Sequence, residues 1–164
     1  MGYLEAQGAK LTPAQIVEKV RASMTALYEA AAAVPATRFH DRPAPGDWSA
    51  NEVLAHVCDS GAHFGDGIVR AIDGAAGAPV AHPPRAAAEA APRRALDEWW
   101  RVLVSDRSAL FARVLAADPG AHLEQNIDHG MFGALNWRET LLFLRIHDLD
   151  HGGQLQKIAA ALRS

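Results

Sequence analysis

Four stretches in which apolar residues recur every three or four positions constrain the fold of this chain more than any other feature. The first predicted helix is capped by Thr12, begins at Pro13 and ends before Pro35. The second begins after Ser49 and continues until Gly74, a residue type that commonly ends helices. Each stretch is long enough to bury one apolar stripe against neighbouring helices.

Two further periodic stretches follow in the C-terminal half of the chain. The third predicted helix, residues 92–115, stops before an Asp-Pro-Gly turn. The fourth begins after Asn136 and continues nearly to the C-terminus. Glu139 follows Asn136 at the spacing of a reciprocal capping box, as Glu52 follows Ser49 in the second helix.

The connections between these helices complete the predicted architecture. Residues 74–91 are rich in Gly, Ala and Pro and form one long connection, and residues 118–135 form another. Strand signals are limited to short, scattered apolar pieces. We therefore predict an all-α fold, a four-helix bundle with long connections between helices two and three and between helices three and four, in a single domain that spans residues 1–164.

Composition excludes several classes of function. The formal net charge of -3 gives no electrostatic reason to expect nucleic acid as a partner. No apolar run approaches the roughly 20 residues of a membrane helix, and the first residues lack the organisation of a secretion signal. The single cysteine, Cys58, can form neither an intrachain disulfide nor a thiolate metal cluster. We expect a cytoplasmic protein that binds a small-molecule substrate and neither nucleic acid nor membrane.

The stretch RIHDLDHGGQL, residues 145–155, places two imidazoles on a helix face that should be buried. On a helical wheel, His151 lies about 40° from His147. Phe143 and Ile158 lie within about the same angle of His147, so both histidines belong to the apolar stripe. Imidazoles one turn apart can ligate a single metal ion.

Catalytic zinc sites commonly use three protein ligands, so a third should come from another helix. His56 on the second predicted helix is a candidate, because its apolar face begins beside it and the small residues Ser60 and Gly67 leave space in its direction. His63 shares this face but lies about 10 Å farther along the axis, too far for the same ion. It is a candidate for the pocket wall or for acid–base chemistry. Cys58 should point away.

Less specific explanations exist for these residues. An inward histidine is commonly a hydrogen-bonded core residue, and a pair four positions apart also occurs by chance. Asp59, Asp148 and Asp150 could orient the imidazoles, although solvated helix surface is the commoner position for such residues. We expect His40, His82 and His122 at the surface. His129 precedes the fourth helix and could lie over the end of the bundle.

The segments WSANEVLAHVCD (48–59) and HGMFGALNWRETLLFLRIHDLDHGGQLQKI (129–158) resemble the DinB-like superfamily, which includes YfiT-type proteins and thiol-dependent transferases. The matching positions are Trp48, Ser49, His56, His129, Phe132, Gly133, His147, His151, Gln154 and Ile158. The resemblance implies a four-helix bundle, often a homodimer. It also implies that His56, His147 and His151 bind a divalent metal, usually Zn²⁺ or Ni²⁺, while imidazole chemistry leaves Fe²⁺ and Mn²⁺ open.

Three neutral nitrogen ligands leave open positions on such an ion, which favours an enzyme. Our leading hypothesis is a metal-dependent enzyme that activates a low-molecular-weight thiol, as co-substrate, for transfer to a small electrophile. The alternative enzyme is a hydrolase that uses metal-bound hydroxide. In it the candidate catalytic residues His63, Asp59 and Gln154 would handle protons or orientation. A third hypothesis is a non-catalytic metal-binding stress-response protein, and a fourth is a bundle with no ion.

Overall fold

Four long helices form the body of the protein in a computed structural model, which describes residues 2–75 and 84–163. His82 and the middle of the first predicted connection lie outside the described residues. A 3₁₀ turn at residues 36–38 follows the helix that ends at Ala32. In chain order the elements are α1 (Tyr3–Lys10), α2 (Pro13–Ala32), α3 (Ala50–Ile72), α4 (Arg85–Glu89), α5 (Leu96–Ala116), β1 (Ile127–His129), β2 (Gly133–Leu135) and α6 (Trp137–Leu162).

The four-helix bundle predicted from the sequence is confirmed. Helix α6 packs against both α2 and α3, and α5 packs against α3 and α2, so each long helix buries a stripe against two others. Ile16, Leu27 and Leu144 are fully buried at these contacts. Each such side chain contributes roughly 1.5–3 kcal/mol through its burial. No helix in the described ranges is long and apolar enough to cross a membrane.

The predicted capping boxes are present at the starts of α3 and α6. Ser49 Oγ accepts a hydrogen bond from the backbone N–H of Glu52 at 3.2 Å, and the Glu52 carboxylate accepts one from Ser49 N–H at 2.7 Å. Asn136 and Glu139 repeat the arrangement with bonds of 3.0 and 2.9 Å. Because these caps satisfy otherwise unpaired donors, they fix where the two histidine-bearing helices begin.

Helix α5 begins at Leu96, four positions later than the predicted start at Pro92. The segment before it has no regular secondary structure and docks on α3 through the side chain of Asn51. The amide of Asn51 donates to Pro92 O at 3.2 Å and accepts from Arg94 N–H at 3.0 Å. These tertiary bonds replace the first turn that the periodicity indicated.

The first predicted connection begins as expected but contains a short helix. Gly74 ends α3 in the left-handed region, with φ of 70°, and the N–H of Ala75 donates to Arg70 O at 2.8 Å. This is the bond that a C-terminal glycine cap provides. Helix α4, five residues long, lies within the connection and packs against α3.

Helix α1 and the hairpin formed by β1 and β2 were not predicted either. Helix α1 packs on α6, where Gly8 lies so close to Glu139 that an added Cβ would be 3.0 Å from its Cγ. In the hairpin, Ile127 pairs with Leu135 and His129 with Gly133, in antiparallel register. Strands of three residues are too short to show an alternating pattern. The hairpin contacts α3 and α6 and thereby places part of the second connection against the bundle.

Candidate metal centre

Helix α3 supplies the first of three histidines that meet inside the bundle. His56 is half-buried, four residues beyond Glu52 of the capping box. Its ring centroid lies 5.1 Å from that of Trp48, and its Nε2 is 3.5 Å from Ser60 Oγ. The small Ser60 side chain therefore lies in contact with the imidazole and does not line open space.

Helix α6 supplies the other two histidines. His147 and His151 are separated by one turn, and their ring centroids are 4.4 Å apart. The ring of His56 lies 5.1 Å from that of His147 and 4.8 Å from that of His151. All three rings are half-buried, so they remain reachable from a cavity.

The nitrogen atoms of these rings converge. One ring nitrogen from each of His56, His147 and His151 can be chosen so that all three lie within 4.8 Å of one another. The Nε2 atoms of His56 and His147 are 3.2 Å apart. A tetrahedral ion that holds nitrogen ligands at about 2.0–2.1 Å separates them by about 3.3 Å. The donor type fits a divalent metal ion, and the separation of this pair of nitrogens fits one as well.

Gln154 holds the third imidazole in a defined orientation. Its Oε1 lies 2.8 Å from His151 Nδ1. Because an amide oxygen only accepts, Nδ1 carries the proton and the Nε2 lone pair is available to an ion. Metal-binding histidines are commonly held this way by a hydrogen bond at the second nitrogen. The structure thus gives Gln154 the position of an orienting residue.

A cavity of about 910 Å³ opens beside the three histidines. It lies between α3, α6 and the hairpin. Its wall is mainly apolar and aromatic, with two carboxylates and two further histidines. The lining residues are His56, His63, Phe64, Asp128, His129, Gly130, Met131, Phe132, Phe143, Ile146, His147, Asp150 and His151.

His129 is a cavity residue whose position the sequence left open. It is buried and stacks on Phe64, with ring centroids 4.3 Å apart and an angle of 1° between the planes. Its Nε2 is 3.4 Å from Thr140 Oγ1, and that hydroxyl donates to Asn136 O at 2.9 Å. Since the hydroxyl proton is already used, Thr140 accepts from His129 Nε2–H. The sequence signals for it were its position before a helix cap and its match to the DinB-like pattern.

The remaining candidate residues occupy different positions. His63 lines the cavity, with its ring 4.8 Å from Phe64, and Asp150 lies at the exposed edge. Asp59 is exposed and is absent from the lining residues. Although the residue is exposed, the surrounding protein removes enough solvent from its carboxyl group to raise the pKa of that group. Cys58 is buried and donates weakly to Trp99 O at 3.7 Å, away from the cavity.

Two of the remaining histidines also have defined positions. His122 is exposed in the second connection, as expected. His40 is half-buried, and its Nε2 bonds the backbone carbonyl of Arg94 at 3.0 Å, so the expectation of a surface residue is only partly met.

The expectation of a surface position is wrong for Asp148. Its side chain is 0% exposed and forms a bidentate ion pair with Arg107 of α5, with bonds of 2.9 and 3.1 Å. Ser23 of α2 donates to the same carboxylate at 3.2 Å. Burial raises the pKa of Asp148, and the guanidinium of Arg107 opposes that rise. The network joins three helices next to His147.

Comparison with known proteins supports the same fold. A family model described as the DinB superfamily matches residues 16–155. The crystal structure of TT2238, a four-helix bundle protein, matches with a TM-score of 0.66 at 20% sequence identity, covering 89% of this chain and 99% of that chain. At this identity the likeness concerns the fold alone. No curated protein matches the chain.

Proposed function

The chain belongs to the DinB superfamily, and on that premise we propose that it is a metal-dependent enzyme that activates a low-molecular-weight thiol for transfer to a small electrophile. The observation that carries the proposal is the convergence of His56, His147 and His151, whose nitrogens lie within 4.8 Å of one another at the wall of a large cavity. A closed structural site would have no such space beside it.

The ligand set consists of imidazoles alone, which suits Zn²⁺ and Ni²⁺. When bound, such an ion supplies Lewis acidity that lowers the pKa of a thiol and so favours the nucleophilic thiolate at neutral pH. Gln154 accepts the Nδ1 proton of His151 and holds the ring toward the other two. His56 and His147 come from different helices, so the packing of α3 on α6 sets their separation.

The reactive thiol comes from a co-substrate in this proposal, because the chain's own thiol is unsuitable. Burial raises the pKa of the Cys58 thiol to about 12. Its sulfur faces the backbone of α5 rather than the cavity. A thiol with that pKa is almost entirely protonated at neutral pH and is a poor nucleophile.

Proton transfer is assigned to His63 in this proposal. Its imidazole lines the cavity, and histidine is the side chain that most often acts as a general acid or base. The proton released by the thiol would pass to this ring, or through it to solvent at the cavity mouth. Asp59 lies on the exposed side of α3, outside the cavity lining, and could act only indirectly.

The test is a thiol-transfer assay on protein loaded with Zn²⁺ or Ni²⁺, across several electrophiles and several small thiols. We expect turnover that requires metal, disappears in His147→Ala and persists in Cys58→Ala. The His63→Gln variant should bind metal normally but turn over more slowly than the wild type. Inactivity of fully loaded protein with every thiol and electrophile would contradict the proposal.

Hydrolysis is the second candidate function, and the side chains of the cavity wall support it. The wall combines two further histidines with the carboxylates of Asp128 and Asp150, groups that can move protons without any thiol. A hydrolase would turn over ester or amide substrates at the same rate with and without added thiol. That single comparison separates it from the transferase.

A metal-binding protein without catalysis is the third candidate. An ion held by His56 and the two histidines of α6 would join two helices that are distant in sequence. Chelation would then lower the melting temperature strongly, and no substrate would be turned over.

A further inference from the structure

We infer that the cavity beside the three histidines takes a small molecule with an aromatic or similarly flat apolar body, whose outer end is preferably neutral or cationic rather than anionic. The inference rests on the proposed function, because it takes this cavity as the substrate site. It adds the chemical class of the ligand, which the metal chemistry alone does not define.

The first support is the aromatic wall of the cavity. Phe143 stands at its centre, edge-to-face with Phe64 at 5.0 Å and with Phe132 at 5.6 Å between ring centroids. The ring of His129 lies 4.5 Å from Phe143 and extends the same surface. Phe143 also approaches His147 to 5.6 Å, so the aromatic surface reaches the candidate metal ligands. Such a surface binds a flat apolar ring best, through burial and ring-edge contacts.

The second support is the exposed apolar tip of the hairpin. Met131 is 86% exposed and Phe132 43% exposed, and both line the cavity. Large apolar side chains at the mouth of a cavity gain from covering an apolar ligand. Their exposure is therefore consistent with an apolar ligand that they would cover.

The third support is the charge of the mouth. Asp128 on the hairpin and Asp150 on α6 both line the cavity and are both exposed. Neither a lysine nor an arginine is among the described residues that line it. Two carboxylates beside apolar walls repel an anion more than they would in open water. An anionic group at the end of the ligand that points away from the histidines would face these carboxylates, and no cation in the described part of the cavity lining would balance its charge.

Size gives the last limit. A cavity of about 910 Å³ is at the upper end of the range for small-molecule sites. It can hold a two-ring body together with a donor group that reaches the imidazoles.

The experiment uses three probes that differ only at the outer end: 2-naphthalenethiol and its derivatives with an aminomethyl or a carboxylate group on the far ring. Binding is measured by calorimetry to the Zn²⁺-loaded and the metal-free protein. We expect the neutral and cationic probes to bind about three- to tenfold more tightly than the carboxylate at low ionic strength. The difference should shrink at high salt.

Two variants test the cause. The double variant Asp128→Asn/Asp150→Asn should bring the carboxylate probe to within about twofold of the neutral one. The matched control Asp106→Asn removes a carboxylate of α5 outside the cavity lining and should change nothing. Tighter or equal binding of the carboxylate by the wild type would overturn the inference. Failure of the neutral probe to bind either form, or an unchanged preference in the double variant, would also overturn it.

These outcomes are separable from failure of the proposed function. If the protein shows no thiol transfer but binds the three probes in the expected order of affinity, the inferred ligand class holds and only the proposed reaction is wrong. If the protein binds no metal, the affinities of the probes for the metal-free protein still test the ligand preference of the cavity.

Discussion

The Nε2 atoms of His56 and His147 lie 3.2 Å apart, although 91 positions separate the two residues in the chain. At that distance the two nitrogens either share one proton or direct both lone pairs toward a common ion. The Nδ1 proton of His151, held by Gln154, frees a third lone pair beside them. Three such donors from two helices form the basis of the proposed metal centre.

Loss of the hydrogen bond from His151 to Gln154 should weaken metal binding without unfolding the protein. In Gln154→Leu the imidazole can rotate and lose its defined tautomer, so we expect zinc affinity to fall about 10- to 100-fold. Gln154→Glu keeps an acceptor and should bind close to the wild type. Competition titration with a chelator measures both, and Gln156→Leu on the exposed side of α6 is the control. Unchanged affinity in Gln154→Leu would show that the bond does not orient His151.

The Arg107–Asp148 pair makes a prediction about stability. Asp148→Leu leaves the guanidinium of Arg107 buried without its carboxylate, and we expect a loss of about 3–5 kcal/mol in the free energy of unfolding. The double variant Arg107→Met/Asp148→Leu removes both charges and should recover most of this loss. Urea unfolding measures each protein.

The exposed ion pair of Arg85 and Glu89 provides the control, since Glu89→Gln should cost under about 1 kcal/mol. A double variant as unstable as Asp148→Leu would show that the pair has a larger role than charge compensation.

Glu52 should make the start of α3 sensitive to acid. Burial acts to raise the pKa of its carboxyl group, but hydrogen bonds from Arg42 and Ser49 outweigh it, so the pKa lies below the ordinary value of 4.5. Ionised Glu52 therefore stabilises the folded state above pH 4.5, and this contribution is lost as the pH falls through the lower folded value. We expect Glu52→Gln to be about 1 kcal/mol less stable at pH 7 and equal to the wild type near pH 3. Chemical unfolding at the two pH values measures this. The same difference in the free energy of unfolding at both would contradict the expected pH dependence.

Cys58 should resist modification in the native protein. With a pKa of about 12, only about one thiol in 10⁴ is ionised at pH 8. Iodoacetamide should therefore label Cys58 only after unfolding in guanidinium, as mass spectrometry can show. Complete labelling of the folded protein within minutes at pH 8 would mean that the thiol is accessible and ionised.

Much of the fold could be predicted because local signals agree with it. The caps at Ser49 and Asn136 and the glycine cap at Gly74 each act within a few residues, so the sequence shows them directly. The start of α5 could not be predicted, because Asn51 binds Pro92 and Arg94 across the tertiary structure.

The candidate site was predictable to the extent that it follows helix geometry. The placement of His147 and His151 on the buried stripe and of His56 beside a small residue follows from 100° per residue. Burial of His129 depends on the hairpin, and the burial of Asp148 depends on Arg107 from another helix. Neither burial follows from the helical periodicity of the sequence, because each depends on contacts with residues that are distant in the chain.

The measurement that tests the central claim most directly is elemental analysis of untagged protein, purified without chelators and then supplied with Zn²⁺ or Ni²⁺ and desalted. We predict about one ion per chain in the wild type. His56→Ala, which removes the ligand from α3, should retain far less than one ion. A wild-type protein without metal, or a His56→Ala variant that keeps as much as the wild type, would contradict a shared ion between α3 and α6.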